Sequence, residues 1–414
     1  MSAVDVARIC RHRFPALRLR VNEHPVAFFD GPGGTQVPDT VLTAVTRYLV
    51  EQNANTHGEF LTSRATDVVI KEARRAVADF LGADPDEIAF GANMTTLNFA
   101  LSRALGRDLV VGDEVIVTDL DHEANIGPWR ALEEKGVVVR SVPFIAPECR
   151  LDMECLQDLI GPHTRIVSVG YASNAVGTIN DVAAVVKLAH EVGATAVIDA
   201  VHYAPHGPID CHALDTDFLL CSAYKFFGPH VGILYGKRQA FQRLTTYKVR
   251  PQLDDAPEKI ETGTLDHEGI AGTTAAVDFV AWLGREAKGE PTLGRRQALL
   301  AGMAAIEEYE GELACRLLEG VSALPGVTVY GPPARARRTP TVSFTVDGLH
   351  PDDIARFLGE RGIFVWAGDF YATTLVEKLG LAGRGGLVRV GIAPYNTVEE
   401  VDRLLNALGR YLQG

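Results

Sequence analysis

Basic residues are in deficit along this chain of 414 residues: 40 lysines and arginines face 53 aspartates and glutamates, for a net charge of -13. Binding to a phosphate backbone rests on basic patches, so the balance speaks against nucleic acid as a partner. Long hydrophobic runs are also missing. No stretch approaches the roughly 18 consecutive apolar residues of a membrane span, so no membrane partner is expected. Cysteine is sparse, with six residues (Cys10, Cys149, Cys155, Cys211, Cys221, Cys315) that form no C-x-x-C pair and no His-containing metal spacing. Neither a disulfide framework nor a metal site is therefore expected. Arg8, Arg11, Arg13, Arg18 and Arg20 crowd the start without an apolar run beside them. The expectation is no secretory signal, a cytoplasmic location and an ordinary helix, Val4 to Arg13, packed on a small domain. Internal repeats and low-complexity tracts are absent as well.

What the chain does have is 47% hydrophobic and 22% charged residues, enough for one large core and a smaller one. Strand-like runs alternate with helical ones: Glu87 to Gly91, Glu114 to Asp119, Gly136 to Arg140, Arg165 to Gly170 and Ala194 to Asp199 are separated by helices near Trp129, Met153 to Ile160 and Val182 to Glu191. Such alternation specifies an α/β fold with a mainly parallel, doubly wound sheet, whose ligands bind at the carboxyl ends of the strands. Helical spacing in Asp67 to Leu81 directs Val68, Val69, Ala73, Val77 and Phe80 toward a core. The polar stretch Ala287 to Gly294 reads as a boundary. The expected division is a segment 1–26 packed on the small domain, a large domain 27–286, and a small α+β domain 287–414.

Lys225 stands where a lysine is out of place. Asp217 to Cys221 and Val231 to Tyr235 are short apolar strands, and Gly228-Pro229 signals a turn, so Lys225 falls on a hairpin between buried strands. Desolvation disfavours its ammonium form and leaves the amine that a Schiff base with an aldehyde cofactor requires. The strand Ala194 to Asp199 ends in an acid. A carboxylate at the end of one buried strand and a lysine at the end of the next form the pair that pyridoxal 5'-phosphate needs, the first for the pyridine nitrogen and the second for the aldehyde carbon. The turn Asn93-Met94-Thr95 joins a strand to a helix and places backbone N–H groups where a phosphate can bind, although taken in isolation Asn93 or Thr95 reads first as a simple helix cap. Gly31 to Pro38, containing Gly33, is a rigid loop that lets backbone approach a ligand.

These stretches together carry a resemblance. Phe29-Asp30 with its loop, Leu120-Asp-His-Glu-Ala-Asn-Ile-Gly-Pro-Trp129, Ser173-Asn-Ala-Val-Gly-Thr178, Asp199-Ala-Val-His202, Ser222-Ala-Tyr-Lys225, Gly263-Thr264 and Val388-Arg-Val-Gly-Ile-Ala-Pro-Tyr-Asn-Thr397 follow one another in the order of the class V aminotransferase family. The chain resembles fold-type I pyridoxal-phosphate enzymes of that family, and within it the cysteine desulfurase-like branch. The resemblance implies that Lys225 holds the cofactor and moves the substrate's alpha proton, Asp199 pairs with the pyridine nitrogen, and His122 stacks on the ring. It places Asn174 and His202 at the ring hydroxyl, and Asn93, Met94, Thr95, Ser222 and Tyr224 at the phosphate. Thr264 would reach the phosphate of the other subunit of a homodimer. Arg389, with Gly33 and Asn174 nearby, would bind a small amino-acid substrate through its carboxylate, a bidentate task suited to guanidinium. Read alone, Arg389 could also be a half-exposed strand arginine in a surface salt bridge.

The departures bear on the reaction. His202 stands where desulfurases usually have glutamine, Tyr224 where they usually have histidine, and Asn53-Ala-Asn-Thr-His57 replaces an arginine-rich segment. The family's sulfur-accepting cysteine follows a Gly-Ile-x-Val strand, here Gly362-Ile-Phe-Val365, on a loop that reads Trp366-Ala-Gly-Asp-Phe-Tyr-Ala372. Tyr371 takes the cysteine's place, and a phenol cannot hold a persulfide. The expectation is a C–S lyase that eliminates the beta substituent of cysteine or an S-substituted cysteine. Tyr371 is either its proton donor or an aromatic packing at the entrance. Epimerase and aminotransferase chemistry are the alternatives, with an inactive scaffold as the non-enzymatic one.

Overall fold

A computed structural model describes residues 4–413, and its architecture follows from the apolar runs above. Seven strands form the main sheet, in the order Ile88–Gly91, Gly232–Gly236, Phe218–Ser222, Thr195–Asp199, Thr164–Gly170, Glu114–Thr118, Val138–Val142. All run parallel except Gly232–Gly236, which is antiparallel to both of its neighbours. The five central strands are buried almost throughout, as expected for a sheet covered by helices on both faces. Their side chains divide accordingly into two apolar clusters, one on each side of the sheet.

A second sheet of four strands, in the order Val327–Tyr330, Thr341–Val346, Leu387–Gly391, Trp366–Gly368, makes up the small domain with the helices Pro351–Gly359 and Val398–Gln413. The helices His267–Lys288 and Arg295–Ser322 join the two parts. Gly284 and Gly302 let their backbones touch: a Cβ on Gly284 would fall 1.9 Å from the Ala298 carbonyl oxygen. The polar connection at 289–294 is thus the tip of a packed helix pair. Among the described residues no helix is long and apolar enough to cross a membrane.

Several expectations need correction. The first helix spans Val6–Cys10 only, because the backbone tightens into a 3-10 turn at Arg11–Arg13. Besides the small domain, where Arg11 bonds Tyr395 and Glu400, it packs on the His267–Lys288 helix. The helix near Trp129 is a short one, Gly127–Arg130, followed by a 3-10 turn that Gly136 ends in left-handed geometry. Val68 faces solvent at 65% exposure, since the buried stripe of Leu61–Leu81 runs through Ala73, Ala76, Val77 and Phe80, one step round the helix. Ala27–Phe28 is a two-residue strand that pairs in parallel with Ile363–Phe364. Trp366–Gly368, expected as loop, is a strand because its backbone bonds the edge of Leu387–Gly391.

Candidate active site

The carboxyl ends of the main-sheet strands open into one cavity, lined among others by Asn93, Met94, His122, Asp199, His202 and Lys225. Lys225 closes a 3-10 turn, Ala223–Lys225, immediately after the strand Phe218–Ser222. Its Nζ donates to the Pro32 carbonyl and lies 4.9 Å from the centre of the Tyr224 ring. Burial, with Arg389 adding to it and Asp199 opposing it, pulls the ammonium down to about 7. The free amine is therefore far easier to reach near neutral pH than for an exposed lysine.

Asp199 is 8% exposed, and its Oδ1 accepts the Val201 N–H at 2.9 Å. Burial pushes its carboxyl up to about 6, against the pull of that N–H and of Lys225. Behind it stands Asp121, which accepts from Gly170 N at 3.0 Å and from Asn125 Nδ2 at 2.8 Å and is pushed up to about 7, mainly by burial. His122 accepts the Ala124 N–H on Nδ1 at 3.0 Å, and burial, then Lys225 and Arg389, lower it to about 4. Its ring is neutral and stacks on Tyr371, with centroids 5.4 Å apart and planes inclined by 22°.

At one end of the cavity the helix Met94–Leu105 begins. Asn93 caps it, accepting from Thr96 N at 2.9 Å, so the Asn93 side chain is the helix cap that the sequence allowed. Met94 N donates to Ser222 Oγ at 3.0 Å. This turn can sit against the Lys225 hairpin only because residue 232 is glycine; a Cβ there would fall 2.4 Å from the Asn93 carbonyl carbon. Tyr224 lines the same end, its ring stacked on His230 at 4.8 Å.

At the other end stands Arg389, 4% exposed on the strand Leu387–Gly391. Its Nη1 donates to the Asn174 carbonyl at 3.0 Å, and its guanidinium lies 4.1 Å over the Phe370 ring. Burial holds it down at about 9. Asn174 Nδ2 donates to Phe370 O at 2.8 Å. Three buried polar atoms here have no partner: Arg389 Nε, Asn174 Oδ1 and Asp30 Oδ1. Buried polar groups are nearly always satisfied, so these three mark where a polar ligand fits.

Other expected residues lie apart. Gly33 is packed under Trp366, whose indole Nε1 would be 2.6 Å from an added Cβ. Tyr371 is 71% exposed, with its backbone in left-handed geometry, φ 59°. Thr264 is exposed on the segment leading into His267–Lys288. Asp30, Asp121 and Phe370 were not singled out from sequence. The two acids did stand inside stretches that carried the resemblance, whereas nothing marked Phe370.

The residues fit pyridoxal phosphate by their chemistry. A helix start flanked by the Ser222 hydroxyl suits the phosphate, a buried acid suits the pyridine nitrogen, and a desolvated amine suits the aldehyde. The comparisons agree. A family model described as aminotransferase class-V matches residues 27–404. The chain is similar to an aminotransferase-like protein of Gibberella zeae, 35% identical over 411 residues that cover 96% of either chain. It is similar to a cysteine desulfurase of Pectobacterium atrosepticum, 33% identical over 417 residues covering 97% of this chain and 96% of that one. Among solved structures, the apo cysteine desulfurase of Thermococcus onnurineus superimposes with a TM-score of 0.83 at 28% identity, covering 96% of this chain and 99% of that one.

Proposed function

The chain belongs to the class V aminotransferase family and is a pyridoxal-phosphate-dependent enzyme, cysteine desulfurase-like in kind; from that premise we propose that it catalyses beta-elimination on cysteine or an S-substituted cysteine. Bound pyridoxal phosphate supplies an electron sink for the substrate's alpha carbon. The turn Asn93–Thr95, Ser222 and Tyr224 would hold its phosphate, Asp199 its pyridine nitrogen, His122 one ring face, and Asn174 with His202 its ring hydroxyl. Arg389 binds the substrate carboxylate through the donors it has left free. Lys225, depressed to about 7, takes the alpha proton as a neutral amine. The C–S bond then breaks, sulfur departs with the electron pair, and Tyr371 supplies a proton to give the thiol. Water converts the remaining three-carbon fragment to pyruvate and ammonia.

One observation carries the reading: no cysteine lines the cavity. Cys10, Cys149, Cys211 and Cys221 are buried, and Cys155 and Cys315 lie part-buried elsewhere. Cys149, which packs beneath the Phe370 segment, has its thiol bonded to the Pro147 carbonyl and is pushed up to about 12 by burial. This placement of the thiols supports a reaction that needs no persulfide carrier. The relative from Gibberella zeae, named aminotransferase-like, favours transamination as the second reading. Incubating the loaded enzyme with cysteine and S-substituted cysteines should release pyruvate and ammonia. Alanine with a protein-bound persulfide would overturn elimination, a stable pyridoxamine form would replace it with transamination, and exchange of the alpha proton with loss of optical rotation would replace it with epimerisation.

A further inference from the structure

Behind His202 runs a buried polar chain whose other members have no part in the reaction above. His202 lines the cavity at 4% exposure, and its Nε2 lies 3.1 Å from Thr339 Oγ1 and 3.0 Å from Thr341 Oγ1. Thr339 and Thr341 are 1% and 0% exposed, and neither hydroxyl has another hydrogen-bond partner among the described residues. A buried hydroxyl needs an acceptor for its proton, and among the described residues the one in reach is Nε2, whose single lone pair takes the proton of one of the two hydroxyls while the other lies beside it. Nε2 is therefore the bare nitrogen. Burial, and after it His206, Lys225, Arg389 and His122, hold His202 neutral, so its single ring proton is on Nδ1. Nδ1 makes no hydrogen bond among the described residues.

The ring plane is braced from a second side. His206 meets His202 edge to face, with centroids 5.4 Å apart and planes at 70°. His206 Nδ1 is in turn 2.7 Å from Glu310 Oε2, and these two side chains are 6% and 1% exposed. Glu310 comes from the helix Arg295–Ser322 and Thr341 from the strand Thr341–Val346, so both threonines and Glu310 come from the 287–414 part of the chain, and only His206 from the large domain. We propose that Thr339, Thr341 and the His206–Glu310 pair are positioning residues that make His202 a fixed hydrogen-bond donor, its Nδ1–H directed at the ring hydroxyl of bound pyridoxal phosphate. The proposal rests on the cofactor reading above. Its consequence is that the small domain sets the electronic state of a cofactor held by the large one.

A donor facing the ring oxygen weakens that oxygen's hold on the proton it shares, so losing the donor raises the pH at which the bound cofactor's visible band changes. Two measurements test this on the full chain. In histidine-labelled protein, with and without pyridoxal phosphate, the ring nitrogens of His202 should report a proton on Nδ1 and none on Nε2; the reverse tautomer would overturn the proposal without any variant. In pH titrations of the visible band, the double substitution Thr339→Val with Thr341→Val, and separately Glu310→Ala, should raise the midpoint by about one unit, a tenfold change in proton affinity. His202→Gln, which keeps a donor, should restore most of the difference seen in His202→Ala. Folded variants with wild-type midpoints sink the positioning role while leaving the cofactor reading intact. A wild type that takes up no pyridoxal phosphate sinks both.

Discussion

Lys225 bears an electrostatic cost that the folded protein carries until the amine loses its proton. Its ordinary value of 10.5 falls to about 7 on folding, so between those values the unfolded chain holds a proton that the native chain does not. Stability of the cofactor-free protein contributed by this group therefore rises with pH from about 7 to 10.5, and the penalty is complete below 7. Replacing it by Lys225→Met should stabilise the cofactor-free protein by about 2 kcal/mol at pH 6, with a gain that shrinks toward pH 10, read by urea unfolding at both ends. An equal effect at every pH would mean that the amine is solvated. The same logic explains what the sequence disclosed at this scale. Lys225, Asp199 and Arg389 are charged side chains within apolar runs, so they stand out. Asp30, Asp121, His206 and Glu310 become buried only through contacts distant in the chain: Asp30 bridges to Gly391 and His206 pairs with Glu310. Nothing local distinguishes them from surface charges.

The element on which the proposed chemistry turns is the segment from Trp366 to Lys378. It is fastened to the large domain by Asn174 Nδ2 to Phe370 O at 2.8 Å, by Glu123 N to Tyr371 O at 2.7 Å and by the Lys378–Asp119 ion pair. Phe370 and Tyr371 both take left-handed backbone, φ 58° and 59°, which costs a non-glycine residue on the order of 1 kcal/mol or more. The contacts that fasten the segment offset that cost and keep Phe370 under Arg389 and Tyr371 beside His122. Tyr371→Phe keeps the stack and removes the hydroxyl. If Tyr371 is the acid, kcat with cysteine should fall about 100-fold with little change in KM; an unchanged kcat would make it an entrance aromatic only. Elements of this kind were the least legible. Val182–Glu191 came out with its bounds because strong apolar spacing defines it. Trp366–Gly368 has three residues and a glycine, so its strand character depends on the neighbour it bonds.

At the scale of the molecule we propose a homodimer. Thr264 is exposed and away from its own cavity, and Val50, Phe60, Leu61, Tyr247 and Val249 are all more than half exposed. If Thr264 completes a neighbour's phosphate site, dilution to monomer should weaken cofactor binding, and Thr264→Ala should raise the Kd for pyridoxal phosphate about tenfold. Sedimentation across a dilution series, with the visible band followed alongside, reads both; a monomer that keeps its cofactor tightly would contradict the assembly. The lone antiparallel strand has a consequence of another sort, for the order of events in folding. Ile88–Gly91 joins the sheet only through Gly232–Gly236, and Met94 reaches Ser222 across 128 residues of chain. The end of the cavity formed by Asn93, Met94 and Ser222 therefore cannot exist until the chain has been made past residue 236, and contacts of such long range form slowly. During refolding the helix and parallel-strand signals should recover first. The ability to capture pyridoxal phosphate should return last, so the cofactor works as a clock for completion of the sheet.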